Sequence, residues 1–322
     1  MRALVLYYSQ SGETARVANI FREELTAVGV DVECDEIQPS AGYPYPWKSI
    51  IRFFDAMPDA VLGSPAGIAP PRFDPSAHFD LVVLAYPVWF LSPATPVRAF
   101  FQSPHARVLR DTDIITISVS RAMWQRASMT MKQLLAAAGA SHCDNVAVTH
   151  QGSPLVTLIS TPRALLSGKR DRLLGVFPSA GVAGKDTSRV RVLAAAAAQR
   201  LIAGHPAGTS FLRGEAAITV TRWLVVPELL GWHCFHAAAR VIRFFGTVHR
   251  GLRTAAVLGF AGFLVLLILV ALPLTVLGTI LATPIIGKRL DAYIARLAEP
   301  TGERSVGPDT PPRRDTMNSA GR

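Results

Sequence analysis

The chain has 322 residues, half of them hydrophobic and only 17% charged, enough for one sizeable core plus a further element and greasy for a purely soluble protein. Its formal net charge of +10 is unevenly placed: residues 1–100 carry 7 Lys+Arg against 11 Asp+Glu, and residues 101–322 carry 26 against 12. That division excludes a uniformly basic protein and points to a basic second half facing something acidic, either anionic lipid or nucleic acid.

In chain order, residues 2–8 (RALVLYY) form a short apolar run of the buried-strand kind. Residues 12–28 are predicted helical, because Val17, Phe21, Leu25 and Val28 recur at spacings of three and four. Residues 30–37 alternate like a strand, and 81–86 form another apolar strand. A helix begun after Pro93 or Pro96 continues through 97–102. Strand 113–120 precedes helix 124–140, and strand 144–149 precedes the alanine-rich helix 188–204, closed by Gly204. Five strands separated by helices predict a doubly wound parallel sheet. Two long connections, 38–79 and 150–186, break the rhythm; in the first, Tyr43, Tyr45 and Trp47 are candidate lid residues or local packing. Cys34, Cys143 and Cys234 stand far apart without a CxxC, which suggests neither a disulfide framework nor a metal site. His233 and His236 suit one helix face, but no acidic or thiolate partners converge on them. The N-terminal apolar run is too short for a signal-peptide core, so the first domain is expected in the cytoplasm.

The loop Ser9-Gln10-Ser11-Gly12-Glu13-Thr14 joins the first strand to the first helix. A helix start presents unpaired N–H groups with the positive end of the dipole behind them, a geometry that binds phosphate. There is no Gly-Lys-Ser of a nucleoside-triphosphate loop and only one of the glycines of a dinucleotide fingerprint. Hydroxyls without lysine suit one terminal phosphate monoester; they equally suit a helix cap. Pro87, Val88, Trp89 and Phe90 follow another strand, where aromatics can flank a flat ring or fill the core. Ser118, Val119, Ser120 and Arg121 supply a third turn at the same edge.

Together these segments resemble the flavodoxin-like family, including its NAD(P)H:quinone reductase branch. Ser9, Ser11, Gly12 and Thr14 match the family's phosphate loop, YPVWFLSPATP resembles its second loop, and Ser118 to Arg121 match its third without the glycines often seen there. The likeness covers residues 1–204. It implies a five-stranded sheet in the order 2-1-3-4-5, FMN as cofactor held by residues 9–14, 87–90 and 118–121, and NAD(P)H as co-substrate. His150, after the fifth strand, is a candidate proton donor or a surface loop histidine.

After residue 208 the character changes. Residues 205–253 combine Trp223, Trp232, Phe235, Phe244 and Phe245 with Arg222, Arg240, Arg243, Arg250 and Arg253, and are expected to form amphipathic helices on a membrane surface. Residues 254–287 hold 34 residues without a charge, more than the roughly 20 needed to cross a bilayer core. Both flanks are basic, and Pro273 and Pro284 permit kinks, so a single span and a re-entrant hairpin both stay open. Residues 288–322 are expected to be a short helix and a disordered tail. Anionic lipid then accounts for the basic half without nucleic acid.

The expectation is a flavodoxin-like domain on the cytoplasmic side of an inner membrane, moving a hydride between NAD(P)H and a lipophilic ring substrate such as a quinone. Ring oxidation of the dialkylresorcinol-associated kind, and electron carriage to a redox partner, are the alternatives. Homo-oligomerisation stays open.

Overall fold

The computed structural model describes residues 1–40, 42–63, 67–152, 154–169, 171 and 181–298. The expected tail beyond residue 298 lies outside them. β1 (Arg2–Tyr7), β2 (Asp31–Glu36), β3 (Leu81–Trp89), β5 (Asp113–Ser120) and β6 (Ser141–Thr149) form a parallel sheet in the order β2-β1-β3-β5-β6, and a two-residue β4 (Ser92–Pro93) folds back antiparallel on β3. With β4 set aside, the five parallel strands lie in the expected flavodoxin-like order. The correction is the sixth, short strand, which the sequence hid behind Pro93.

Parallel strands covered on both faces read as continuous apolar runs. Accordingly, Leu81 to Tyr86 and the whole of β5 are buried. On one face α1 (Glu13–Ala27) and α7 (Gly184–Ile202) close a core through Val17, Phe21, Leu25, Leu193 and Ala197. On the other, α4 (Thr95–Gln102) and α5 (Gln125–Ala137) do so through Val97, Phe100, Met131 and Leu135. The long connection after β2 contains two short helices, α2 (Ile50–Asp55) and α3 (Met57–Leu62), and the one after β6 contains α6 (Pro154–Ser167).

The expectation of helices throughout 205–253 is corrected. Residues 205–221 are turns and coil, because Gly204, Pro206, Gly208 and Gly214 interrupt any helix. Instead the segment straps the edge of the sheet. Gly208 N–H donates to Asp113 Oδ1 at 2.9 Å, Phe211 N–H donates to Asp144 Oδ2 at 2.7 Å, and Phe211 and Leu212 enter the core. Helix resumes with α8 (Val225–Val248), which packs against α3 and α9 (Arg250–Leu266). α9 continues through a π-helical stretch, Leu267–Ala271, into α10 (Leu272–Ala298). The short helix expected after residue 288 is therefore the end of α10. Arg250–Arg296 is, among the described residues, the one helix long and apolar enough to cross a membrane, and only 11% of its most apolar stretch is buried.

Candidate functional site

The carboxyl ends of β1, β3 and β5 meet at one edge of the sheet, and a cavity of about 490 Å³ lies there. At the end of β1 the chain must reverse sharply into α1. Gly12 does this at φ 85°, a left-handed conformation that glycine adopts without a Cβ penalty, and its N–H donates to Ser9 Oγ at 3.1 Å. Gly12 is the N-cap of α1 and the helix has no side-chain cap. As a glycine the N-cap residue has no side chain to cap with, and Ser9 Oγ takes its N–H at the helix entry, as the capping reading expects. Gln10, Ser11, Glu13 and Thr14 line the cavity. Thr14, 2% exposed, sits in the first turn of α1, and its hydroxyl has no hydrogen-bond partner among the described residues. The Glu13 carboxylate is engaged structurally, accepting from Val182 N–H at 3.0 Å and pairing with Arg16 at 2.8 Å.

β3 overshoots the sheet and turns at Phe90 and Leu91, with φ 50° and 60°. Two successive left-handed residues make the tight hairpin that glycine or asparagine normally supplies. A bulky residue there costs on the order of 1–3 kcal/mol, a strain that clusters at functional sites. The turn sets Pro87, Val88, Trp89, Phe90 and Leu91 along the cavity wall. Trp89 is fixed edge-on by Tyr8 at 5.7 Å, Tyr43 at 5.2 Å and Trp47 at 6.1 Å between ring centres. Tyr43 and Trp47 thus brace Trp89 and do not line the cavity. Phe90 continues the aromatic chain to Phe53 at 4.9 Å and to Phe235 of α8 at 5.7 Å.

At the carboxyl end of β5, Val119 and Ser120 line the cavity, joined by Arg121 just beyond the strand. Ser120 Oγ is buried without a partner. The Arg121 guanidinium also has none among the described residues, and burial lowers its pKa to about 10, so it remains a cation at neutral pH. His150 is half-buried on the same wall, with Nδ1 3.4 Å from Thr161 Oγ1. Three expected residues do not line the cavity. Ser9 is spent on turning the loop and Gly12 serves as its hinge. Ser118 is wholly buried in the sheet, its hydroxyl directed to Val146 O at 3.5 Å.

Sequence reasoning missed the other half of the site. Beyond the sheet edge the cavity continues as an apolar arm walled by Leu158 and Leu165 of α6, by Pro227, Leu230, Gly231 and Phe235 of α8, and by Leu264, Ile268, Ala271 and Thr275 of the long helix. The signal was present as a spacing of three and four in both stretches, but an all-apolar helix gives no contrast by which to choose its inner face. Among the described residues no group of three His, Cys, Asp or Glu could hold a metal ion. His236 is turned onto Trp232, its Nδ1 2.9 Å from the Trp232 carbonyl.

No family model and no curated protein matches the chain. Among solved structures it is similar to a flavoprotein in complex with FMN from Lactobacillus acidophilus NCFM, at 22% identity over 46% of this chain and 91% of that one, with a TM-score of 0.36. It is also similar to a WrbA-like flavodoxin from Agrobacterium tumefaciens (13% identity, 63% and 98% covered, TM-score 0.33) and to a flavone reductase (13%, 65% and 66%, TM-score 0.35). At these values the likenesses add nothing to the strand order, which defines the fold by itself.

Proposed function

We propose that this protein is a membrane-associated FMN oxidoreductase that moves a hydride between NAD(P)H and a lipophilic ring substrate such as a quinone. The observation that carries the reading is one cavity with two unlike ends. At one end is the start of α1 with an unpartnered Thr14; at the other is an apolar arm walled in part by the one helix, among the described residues, long and apolar enough to cross a membrane.

The residues present fit the cofactor. The N–H groups at the start of α1 and the Thr14 hydroxyl suit a phosphate monoester. Trp89, Phe90 and the Val119–Arg121 turn suit the ring, and Ser120 Oγ and the Arg121 cation are polar groups that lack a partner without it. A bound flavin supplies the redox chemistry, taking up and delivering a hydride or single electrons. The chain's own residues hold and shield. Arg121 favours negative charge at its end of the cavity, α6, α8 and α9 exclude water, and His150 is placed to hold a proton for a ring oxygen. The same covering favours an enzyme over an electron carrier. A carrier must present its cofactor edge to another protein, and here helices α6, α8 and α9 wall the cavity that would hold the cofactor.

The test is an absorption spectrum of detergent-purified full-length protein, before and after incubation with FMN, followed by NAD(P)H oxidation with a quinone as acceptor. Flavin that copurifies or is taken up, with quinone-dependent turnover, is expected. Protein that neither carries nor takes up flavin overturns the reading.

A further inference from the structure

The long helix presents a contradiction if it is a span. Its two ends are tied to the same body. Near its start, Arg253 Nε donates to Asp55 Oδ1 of α2 at 2.6 Å and Phe260 packs on Phe54 at 5.9 Å. Near its end, Arg222 pairs with Asp291 at 3.2 Å, Leu290 is buried, and the Tyr293 hydroxyl donates to Met129 Sδ of α5 at 3.6 Å. The helix between Arg253 and Asp291 is about 57 Å long, against a hydrocarbon core of about 30 Å. One rigid sheet domain cannot hold both ends from opposite sides of a bilayer.

The stretch between the ties has two apolar faces. Residues 261, 264, 268, 271 and 275 line the cavity. Leu266, Leu269, Leu274, Leu277, Ile280 and Leu281 point to the outside, from 53% to 69% exposed. At about 100° per residue these sets centre on opposite sides of the helix. The outer stripe is polar nowhere. The hydroxyls of Thr275, Thr279 and Thr283 are each returned to the carbonyl four residues back at 2.7 Å. Beyond its ends lie Arg250 on one side and Lys288, Arg289 and Arg296 on the other, all exposed. A second copy seated on this stripe would bring like charges together at both ends, whereas a leaflet with anionic headgroups meets both the stripe and its flanks.

We propose that α9–α10 lies in the plane of an anionic leaflet as a platform, neither a span nor a hairpin, with its outer stripe in the acyl boundary. Its inner stripe forms the cavity wall, so that an alkylated substrate passes sideways from the lipid into the apolar arm. The inference rests on the membrane part of the function above and is independent of flavin. The π-helical turn Leu267–Ala271 falls where the helix walls the cavity, and such turns often mark functional sites.

The test uses full-length protein in sealed vesicles of phosphatidylcholine and phosphatidylglycerol, with Cys34 and Cys234 replaced by serine and Cys143 left buried. Single cysteines are introduced as Ala255→Cys and Ala295→Cys, at exposed positions near the two ends, and as Leu269→Cys and Leu281→Cys on the outer stripe. A membrane-impermeant maleimide added outside should label positions 255 and 295 to the same extent. A fluorophore at 269 or 281 should be quenched most by lipids brominated near the headgroup, at similar depths of about 5–10 Å. Protection of one end shows a span and overturns the platform. Equal labelling with position 269 near the bilayer centre shows a hairpin and also overturns it. Protein that floats free of vesicles, or a stripe insensitive to brominated lipid, overturns the membrane reading itself, and the flavin spectrum then stands or falls separately.

Discussion

Thr14 and Arg121 line the cavity with no hydrogen-bond partner among the described residues, an arrangement that a ligand bound there would complete. Because α1 has no side-chain cap, Thr14→Val removes a hydroxyl without touching the helix entry. A hydrogen bond to a charged group contributes about 1.5–3 kcal/mol, so FMN affinity should fall roughly 10- to 100-fold, read by titration of flavin fluorescence, with the melting temperature of flavin-free protein nearly unchanged. Arg121→Met should show the two effects with opposite signs. Relieving a shielded, unpaired cation stabilises the flavin-free protein, on the order of 1–3 kcal/mol, while flavin binding weakens. If the melting temperature and the affinity of this variant fall together, Arg121 is a structural residue and the anion site is misplaced.

Between elements, the junction of α5 and α8 combines a buried carboxyl with the Arg126 guanidinium stacked 4.2 Å from the centre of the Trp232 ring. Glu228 of α8 is 1% exposed and accepts from Arg126 N–H of α5 at 2.7 Å. Burial outweighs this bond and the Arg126 charge and raises its pKa to about 8. A carboxyl so raised stays protonated in the folded state while the unfolded chain, with an ordinary value near 4.5, ionises. Its contribution is fully present below pH 4.5 and is lost as pH rises toward 8. His142, whose Nε2 lies 2.9 Å from Thr116 Oγ1, works the other way. Burial lowers its pKa to about 4, so its contribution is present above 6.5 and lost as pH falls. The two slopes oppose each other between pH 4.5 and 6.5, and only that of Glu228 remains from 6.5 to 8. Melting temperature should therefore decline over pH 6.5–8 in the natural protein and be flatter there in Glu228→Gln. None of this was legible in the sequence, where Glu228 is one acid in a greasy stretch. The sheet was legible, because strands buried on both faces leave apolar runs and α1 leaves a clear stripe. So were eleven of the fourteen expected cofactor residues as cavity lining, because in this topology strand ends meet at one edge. Ser and Thr serve both capping and ligand binding, and the loop divides the work: Ser9 Oγ takes the Gly12 N–H at the helix entry while Thr14 faces the cavity. The helices over the cavity were hidden for a different reason. An uncharged stretch looks the same whether it faces lipid, protein or both.

For the whole molecule, one cavity is walled on one side by the sheet edge and on another by the long apolar helix, and Ala271 lines it from the helix. It lies in the π-helical turn, on the inner stripe, with a side chain too small to fill the arm. Ala271→Trp should plug the arm without reaching residues 10–14 or 119–121, so flavin content and turnover with a short, water-soluble quinone should change less than twofold. The KM for a quinone with a long alkyl chain should rise at least tenfold. Excluding even two methylenes from an apolar site costs about 1.6 kcal/mol, and the arm is lined by aliphatic side chains from three elements. Leu269→Trp, two residues away but 69% exposed on the outer stripe, adds the same bulk on the lipid side and should leave both KM values alone. The discriminating quantity is the ratio of the two KM values in each variant. If Ala271→Trp raises both in step, or if Leu269→Trp matches it, chain length is not read by the arm, and the helix over the cavity is a cover and not a route.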